Sequence, residues 1–220
     1  MKIFAALVVL LACASCTCCP PKNSVELFNG KDLAGWMAFS SKDGVKLEDV
    51  WSAKDGVIVC KGDPIGWLGT EQTYTNYKLT AEWRWGDPQK PGNSGFFQRI
   101  NGTPSTLPRC IECQLKHENA GDLMGFQGMT VSGDATRAMK PKKFALGELT
   151  AGVKKSALAE KKPGEWNRAE ITVQGDKIAV IINGQKINEV TGVPVLAGRI
   201  GLQAEGGEIH FRKVSVLPLD

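Results

Sequence analysis

The stretch from residue 93 to residue 122 concentrates side chains that can do chemistry. It consists of two strand-like runs, NSGFFQRI and RCIECQLKH, joined by a loop rich in Gly, Pro and Ser. Because successive side chains of a strand point to opposite faces, Glu112, Gln114 and Lys116 share one face of the second run, opposite an apolar face. An acid, an amide and an ammonium group together on a strand face favour a polar ligand site over a plain solvated surface.

Arg99 on the first run extends this set. The alternation places Arg99 with Phe97 on one face, and Phe96 with Gln98 on the other. We expect Arg99 and Glu112 to meet on neighbouring strands and to form the centre of the site. The alternative is an ordinary surface ion pair, which stabilises a fold by only about 0–1 kcal/mol.

Three groups outside this pair are also candidates, namely His117, Asp122 and Glu205. Histidine has the reference pKa nearest neutrality, at ~6.5, and so suits a general base. Each residue also has a structural interpretation. His117 lies at a strand end and could cap backbone groups, while Asp122 and Glu205 adjoin glycines and could belong to turns.

Length and composition describe an ordinary globular protein. The chain has 220 residues, of which 42% are hydrophobic and 23% charged, so a packed core can form. Its 25 glycines suit many tight turns. The net charge of +4 is small and scattered, and the sequence contains no aromatic-and-basic RNA-binding motif, so we expect no nucleic-acid partner.

The first residues are typical of a bacterial lipoprotein signal. Lys2 supplies a positive start, and residues 3–12 form an apolar run that is too short to span a bilayer. The sequence LACASC follows, and we expect lipidation at Cys16. Cys13 is the alternative lipidated residue, and a plain secretory signal is the alternative to a lipoprotein.

The predicted organisation follows from this start. Residues 1–15 form the signal peptide, residues 16–24 a tether, and residues 25–220 a single β-sandwich domain. We expect an exported protein, lipid-anchored in the bacterial outer membrane or periplasm, that meets the membrane only through its N-terminal anchor.

Three cysteines, Cys60, Cys110 and Cys113, lie in the body of the chain. Residues three apart on a strand face opposite ways, so the two thiols of CIEC diverge, and no second pair stands at zinc spacing. We interpret all three as small apolar side chains. A Cys60–Cys110 bridge is possible in an oxidising compartment but is not our prediction.

The rest of the chain predicts an all-β fold. In residues 77–85 every second residue is apolar, and Asn183-Gly184 joins two alternating runs as a hairpin turn. Many short strands with tight turns favour a jelly-roll sandwich of two antiparallel sheets. Residues 136–164 are lysine-rich, and we interpret them as a surface excursion with one short strand or helical turn. We interpret the charge of these lysines as that of a solvated surface and not as a binding patch.

Six segments resemble, in order, the 3-keto-disaccharide hydrolase domain family, formerly a domain of unknown function. They are LFNGKDLAGW, WRW with GNSGFFQR, IECQL, GEWNRAEI, an NG hairpin and GRIGLQAEGGEIHFRKV. The resemblance covers nearly all of residues 25–220 and implies a concanavalin A-like jelly roll and sugar chemistry outside the cytoplasm. The chain departs from the common pattern at two places: His117 stands where an Asp is usual, and Ala204-Glu205 where a His is usual.

The resemblance implies cleavage of 3-keto-glycosides. A ketone at C3 acidifies the C2 hydrogen, so that a base can remove this proton and the group at C1 leaves. On this reading the catalytic residues are Glu112 or His117 as the base and Arg99 at the ketone oxygen. The predicted substrate-binding residues are Asn93, Gln114, Lys116, Asp122, Gln203 and Glu205.

A divalent cation is a possible cofactor, although none is certain. Ca, Mg or Mn would suit Glu112, His117, Asp122 or Glu205 better than structural zinc would. Two other functions remain open, both with a saccharide as ligand. One is a non-catalytic carbohydrate-binding lipoprotein. The other is a two-carboxylate glycosidase, in which Glu82 or Glu205 would lie ~5–9 Å from Glu112.

Overall fold

The computed structural model of the chain describes residues 23–220. The predicted signal peptide, the lipidation at Cys16 and most of the predicted tether lie outside the described residues. One short helix is found within them, α1 at Leu47–Val50, besides a 3-10 turn at Ala135–Arg137. Residues 23–220 contain no helix with the length and apolar character needed to cross a bilayer.

The remaining elements are strands. In chain order they are β1 (Val25–Glu26), β2 (Trp36–Ser40), β3 (Trp51–Lys54), β4 (Val57–Cys60), β5 (Gly66–Thr70), β6 (Tyr77–Trp85), β7 (Gly95–Asn101), β8 (Arg109–Gln114), β9 (Leu123–Phe126), β10 (Ala138–Met139), β11 (Lys142–Phe144), β12 (Gly147–Val153), β13 (Asn167–Gln174), β14 (Lys177–Ile182), β15 (Gln185–Val190), β16 (Arg199–Ala204) and β17 (Ile209–Pro218).

These strands form two antiparallel sheets. The eight-stranded sheet has the order β15-β14-β13-β6-β17-β4-β3, with β1 paired to β17. The nine-stranded sheet has the order β10-β12-β9-β8-β7-β16-β5-β2, with β11 paired to β12. The predicted all-β jelly-roll sandwich is confirmed.

Side-chain alternation explains the layers. Along β6, buried and half-buried residues alternate strictly, and the buried set, including Leu79, Ala81 and Trp83, packs between the sheets. At the turn from β14 to β15, Asn183 and Gly184 have φ values of +52° and +83°, as the NG signal predicts. The sequence pattern thus identified both the strand and the hairpin.

The outer face of the nine-stranded sheet is apolar over part of its area. Phe96 belongs to the core between the sheets, whereas the next residue, Phe97, packs in a second cluster on the opposite face with Trp67, Cys110 and Phe126. The loop between β7 and β8 covers this cluster, and the indole of Trp67 donates to the carbonyl of Ser105 at 2.9 Å. The sheet therefore has a partly covered outer face.

The cysteine interpretation agrees with this layering. Cys113 lies in the core between the sheets and Cys110 in the outer cluster, so the two CIEC thiols diverge. Cys60, Cys110 and Cys113 are buried free thiols, so no Cys60–Cys110 bridge forms. By contrast, residues 136–164 hold more structure than we predicted, because they contain β10, β11 and β12 rather than one short element.

Candidate functional site

Glu112 is the most buried acidic residue on the outer face of the nine-stranded sheet. It lies in β8 opposite Phe97 of β7 and Met124 of β9, and it is only 2% exposed. Its Oε1 has no hydrogen-bond partner among residues 23–220. A buried polar atom without a partner is costly, by about 1–3 kcal/mol, so such an atom is a candidate ligand contact.

A glycine leaves space beside this acid. Gly95 lies in β7, between β8 and β16, and a Cβ at this position would overlap the Glu112 carboxyl. Across Gly95, β16 brings Gln203, which is 3% exposed and whose Oε1 also has no partner among the described residues. Ser94 fixes the strand pairing by donating to the carbonyl of Gln203 at 2.7 Å. The Glu112 carboxyl thus occupies the space above Gly95 that a side chain at this position would fill.

Glu205 and Lys116 extend this arrangement, which we call the acid face (Gly95, Glu112, Lys116, Gln203 and Glu205). The charge of Glu205 acts on Glu112, and the charge of Lys116 acts on Glu205, so the three groups lie within electrostatic reach. The acid face therefore unites four of the nine predicted site residues at one end of β7, β8 and β16.

Burial raises the pKa values of the carboxyls in this region. Burial raises the pKa of Glu112 well above its usual value, and the charges of Glu205 and Asp122 raise it further. Burial also raises the pKa of Glu205, but the Gln203 side chain and the Lys116 charge lower it. Burial therefore disfavours the charged form of both carboxyls, and Glu112, at 2% exposure, is the more deeply buried of the two.

The raised pKa predicts a specific pH dependence of stability. Between the unfolded value of 4.5 and the higher folded value, folded Glu112 binds a proton that the unfolded chain has released. The free energy of unfolding therefore falls as pH rises through this window, by about 1.4 kcal/mol per pH unit. Urea unfolding at stepped pH should show this fall in the wild type, and Glu112→Gln should reduce it to the smaller fall that Glu205 and Asp122, whose pKa values burial also raises, still contribute.

Glu82 provides the control for this prediction, since its pKa moves the opposite way. Burial opposes the shift, but hydrogen bonds from Lys213 and Arg212 lower the pKa of Glu82 overall. Its contribution to stability is therefore present above the unfolded pKa and lost as the pH falls. The assignment would be contradicted if Glu82→Gln abolished the fall in the free energy of unfolding at rising pH while Glu112→Gln left that fall unchanged.

Three predicted binding residues are engaged with backbone groups. Gln114 accepts from the N–H groups of Leu115 and Lys116 at 2.9 and 2.8 Å, and Asp122 accepts from the N–H of Lys155 at 2.8 Å. The backbone N–H of Asn93 donates to the carbonyl of Gly206 at 2.8 Å, while its side-chain Oδ1 is buried without a partner. Asn93 therefore has a free acceptor, whereas Gln114 and Asp122 are partly used in shaping the strand end. Burial raises the pKa of Asp122, opposed by the Lys155 N–H and by nearby cations.

Arg99 does not lie on the acid face, and the prediction that it meets Glu112 is wrong. A bulge between Gln98 and Asn101 interrupts the β7–β8 register, and Arg99 has a φ of +55°. The buried guanidinium donates to three carbonyls, those of Thr75 (2.9 Å), Gly175 (2.8 Å) and Pro194 (2.8 Å). Arg99 is thus a clamp between the bulge and loops of the other sheet.

His117 lies next to Glu160, an acid that the sequence did not indicate as part of the site. Its backbone N–H donates to the Gly92 carbonyl at 3.1 Å, and its Nδ1 lies 3.5 Å from the Glu160 carboxylate. Glu160 is buried and accepts from the N–H of Ala120 at 2.9 Å. Nothing in the sequence marks Glu160, because it stands in the stretch interpreted as solvated surface.

Glu82 lies on the other sheet. Its carboxylate contacts Arg212 at 2.6 Å and Lys213 at 3.0 Å on the outer face of the eight-stranded sheet. Of the two predicted partners for Glu112, only Glu205 is close. Within the described residues, no three His, Cys, Asp or Glu side chains are arranged to hold a metal ion, so Glu112, His117, Asp122 and Glu205 do not form a ligand set there.

Solved structures share this architecture. A "putative glycosyl hydrolase" from Parabacteroides distasonis is 22% identical, with a TM-score of 0.64 over 90% of this chain and 94% of that chain. A β-glucanase from Bacillus licheniformis is 12% identical, with a TM-score of 0.58 over 91% and 100%. A carbohydrate-binding module from Bacillus subtilis is 12% identical, with a TM-score of 0.57 over 86% and 97%. At these identities the likeness shows the fold alone.

The fold is a concanavalin-like β-sandwich, and the acid face is a candidate polar ligand site on one of its sheets. More specifically, residues 23–217 match the 3-keto-alpha-glucoside-1,2-lyase-like domain family, so the chain belongs to that family, as its motifs predicted. This membership places the chain among carbohydrate-active domains. No match to the chain was found among curated proteins.

Proposed function

We propose that the acid face cleaves 3-keto-glycosides, with Glu205 as the base and Glu112 as a neutral proton donor. The observation that carries this proposal is the buried Glu112 carboxyl, which packs over Gly95, has no hydrogen-bond partner at Oε1 among the described residues, and lies within electrostatic reach of Glu205. Family membership supplies the substrate class.

The two acids have complementary tasks in this proposal. Glu205 removes the C2 proton, and the electron pair moves toward the C3 carbonyl oxygen as an enolate develops. Protonated Glu112 donates a hydrogen bond to that oxygen, in a buried site where such a bond is strong. The enolate then restores the C3 carbonyl, and its electron pair forms the C1–C2 double bond. The C1–O bond breaks as the leaving oxygen takes the proton that Glu205 removed, which returns Glu205 to its ionised form. Addition of water to the resulting enone completes a net hydrolysis.

The structure changes the roles that the sequence suggested. Burial favours the neutral form of Glu112, which suits donation of a hydrogen bond, whereas the sequence suggested Glu112 or His117 as the base. Arg99 has its guanidinium bound to carbonyls and is not used. Gln203 and Asn93, each with a free buried oxygen, are available as acceptors for sugar hydroxyl groups.

A two-carboxylate glycosidase is the second candidate, because one observation favours it as well. Glu112 and Glu205 influence one another electrostatically, and a pair of this kind can supply the acid and the carboxylate that this mechanism needs. In this case Glu112 would protonate the glycosidic oxygen of an ordinary glycoside.

One assay separates the candidates. The purified protein is incubated with a 3-keto-glucoside and with its unoxidised parent, each with and without a chelator. Cleavage of the ketone alone supports the proposal, and cleavage of the parent alone replaces it with the glycosidase. Saturable binding without turnover of either compound would instead indicate a non-catalytic module. A loss of turnover with chelator would reveal a metal requirement.

A further inference from the structure

We propose that the hairpin of residues 138–149 docks on an anionic lipid bilayer. This lysine hairpin contains β11 and the adjoining part of β12, and every residue from 140 to 146 is exposed. It carries Lys140, Lys142 and Lys143, with no acidic residue between positions 138 and 146. The proposal is independent of the reaction at the acid face.

The lysines are free to meet an external anion. Within the described residues, none of the three forms an ion pair, and Lys142 lies over the ring of Phe144 at 5.1 Å. Glu148 stands opposite Lys143 in the β11–β12 register but makes no salt bridge to it. The hairpin therefore presents an uncompensated cationic surface.

Two large apolar side chains accompany this charge. Phe144 is 43% exposed and Leu146 is 39% exposed, at the end where β11 turns into β12. Lysines alone would be explained as protection of an edge strand against pairing with another chain. That explanation leaves exposed Phe and Leu unaccounted for, since they favour association. Apolar groups surrounded by lysines are typical of surfaces that enter the headgroup region of a membrane.

The shape of the hairpin favours a bilayer over an anionic polysaccharide. A surface cluster of lysines can also bind an anionic polysaccharide, but such a polymer offers no apolar layer for the exposed Phe144 and Leu146 to enter. The lysine hairpin is an edge element paired only to β12. An edge hairpin can insert its apolar tip while its lysines meet lipid phosphates. Leu149 of β12 pairs with Phe126 of β9, so the lysine hairpin lies toward the Arg109 end of β8, whereas the acid face lies toward the Gln114 end.

Vesicle co-sedimentation of the full chain tests this inference. Neutral phosphatidylcholine vesicles are compared with vesicles that contain phosphatidylglycerol, at low and high salt. The triple change Lys140→Gln, Lys142→Gln and Lys143→Gln should lower the anionic-vesicle partition coefficient by roughly 100-fold at low salt, as about fivefold per lysine would give. A second variant, Phe144→Ser with Leu146→Ser, should weaken binding at high salt, where electrostatic attraction is screened.

Matched controls keep the result specific. The triple change Lys31→Gln, Lys42→Gln and Lys54→Gln, at exposed positions, alters the net charge equally and should lower partitioning into anionic vesicles far less. The pair Leu158→Ser and Val195→Ser, at 59% and 58% exposure, controls for lost surface hydrophobicity. Equal losses in both lysine triples, unchanged binding of the hairpin variants, or binding to dextran sulfate without binding to vesicles would each overturn the proposal.

Discussion

Replacing Glu112 by glutamine should lower kcat on a 3-keto-glucoside about 10²–10³-fold while the protein stays folded. The amide has nearly the same shape as the neutral carboxyl but is a weaker donor to an enolate oxygen, and removal of one such donor has about this effect. The fold should tolerate the change, because the carboxyl is buried and its raised pKa favours the neutral form, whose shape the amide reproduces. Turnover and circular dichroism on the same preparations check both parts.

The pH profile tells a donor from a structural residue. If Glu205 must be ionised and Glu112 protonated, kcat should follow a bell, with Glu205 on the rising limb and Glu112 on the falling limb. Glu112→Gln should remove the falling limb, and Glu205→Gln should remove the rising limb and lower kcat about 10²–10⁴-fold. Glu82→Gln, on the other sheet, should leave the profile unchanged. A Glu112→Gln enzyme that kept the wild-type kcat and both limbs of the pH profile would contradict the assignment of Glu112 as the donor.

The elements that sequence predicted well are those in which a local pattern decides the structure. The alternation of residues 77–85 identifies β6, and the NG pair identifies the turn between β14 and β15, because strand period and turn conformation are local properties. Glu112 was found for the same reason, as its face follows from its neighbours in one uninterrupted strand.

The errors arose where a residue's position depends on distant parts of the chain. Arg99 takes a left-handed conformation within a bulge, and no glycine or asparagine at that position signals it. An extra residue in a strand reverses the face to which the following side chains point. The predicted meeting of Arg99 with Glu112 was wrong for this reason. The role of Gly95 emerges only from the order β8-β7-β16, which brings Gln203 to the other side of it.

Arg99→Met should destabilise the fold by about 3–5 kcal/mol. The guanidinium satisfies the carbonyls of Thr75, Gly175 and Pro194, and leaving buried acceptors without a partner costs about 1–3 kcal/mol each, part of which water can recover. Methionine keeps the apolar stem and must adopt the same left-handed backbone, so the loss of hydrogen bonds is isolated. Thermal unfolding should show a Tm lower by roughly 8–15 °C.

The control separates a clamp from a catalytic residue. Arg199 is half-buried and donates to the carbonyls of Thr70 (2.7 Å) and Glu71, so Arg199→Met should have a smaller effect, about 1 kcal/mol. Below the Tm of the variant, Arg99→Met should retain near wild-type kcat per folded molecule, because the guanidinium of wild-type Arg99 faces loops of the other sheet. An unchanged Tm together with lost turnover would return Arg99 to the reaction and require a bulge that rearranges when substrate binds.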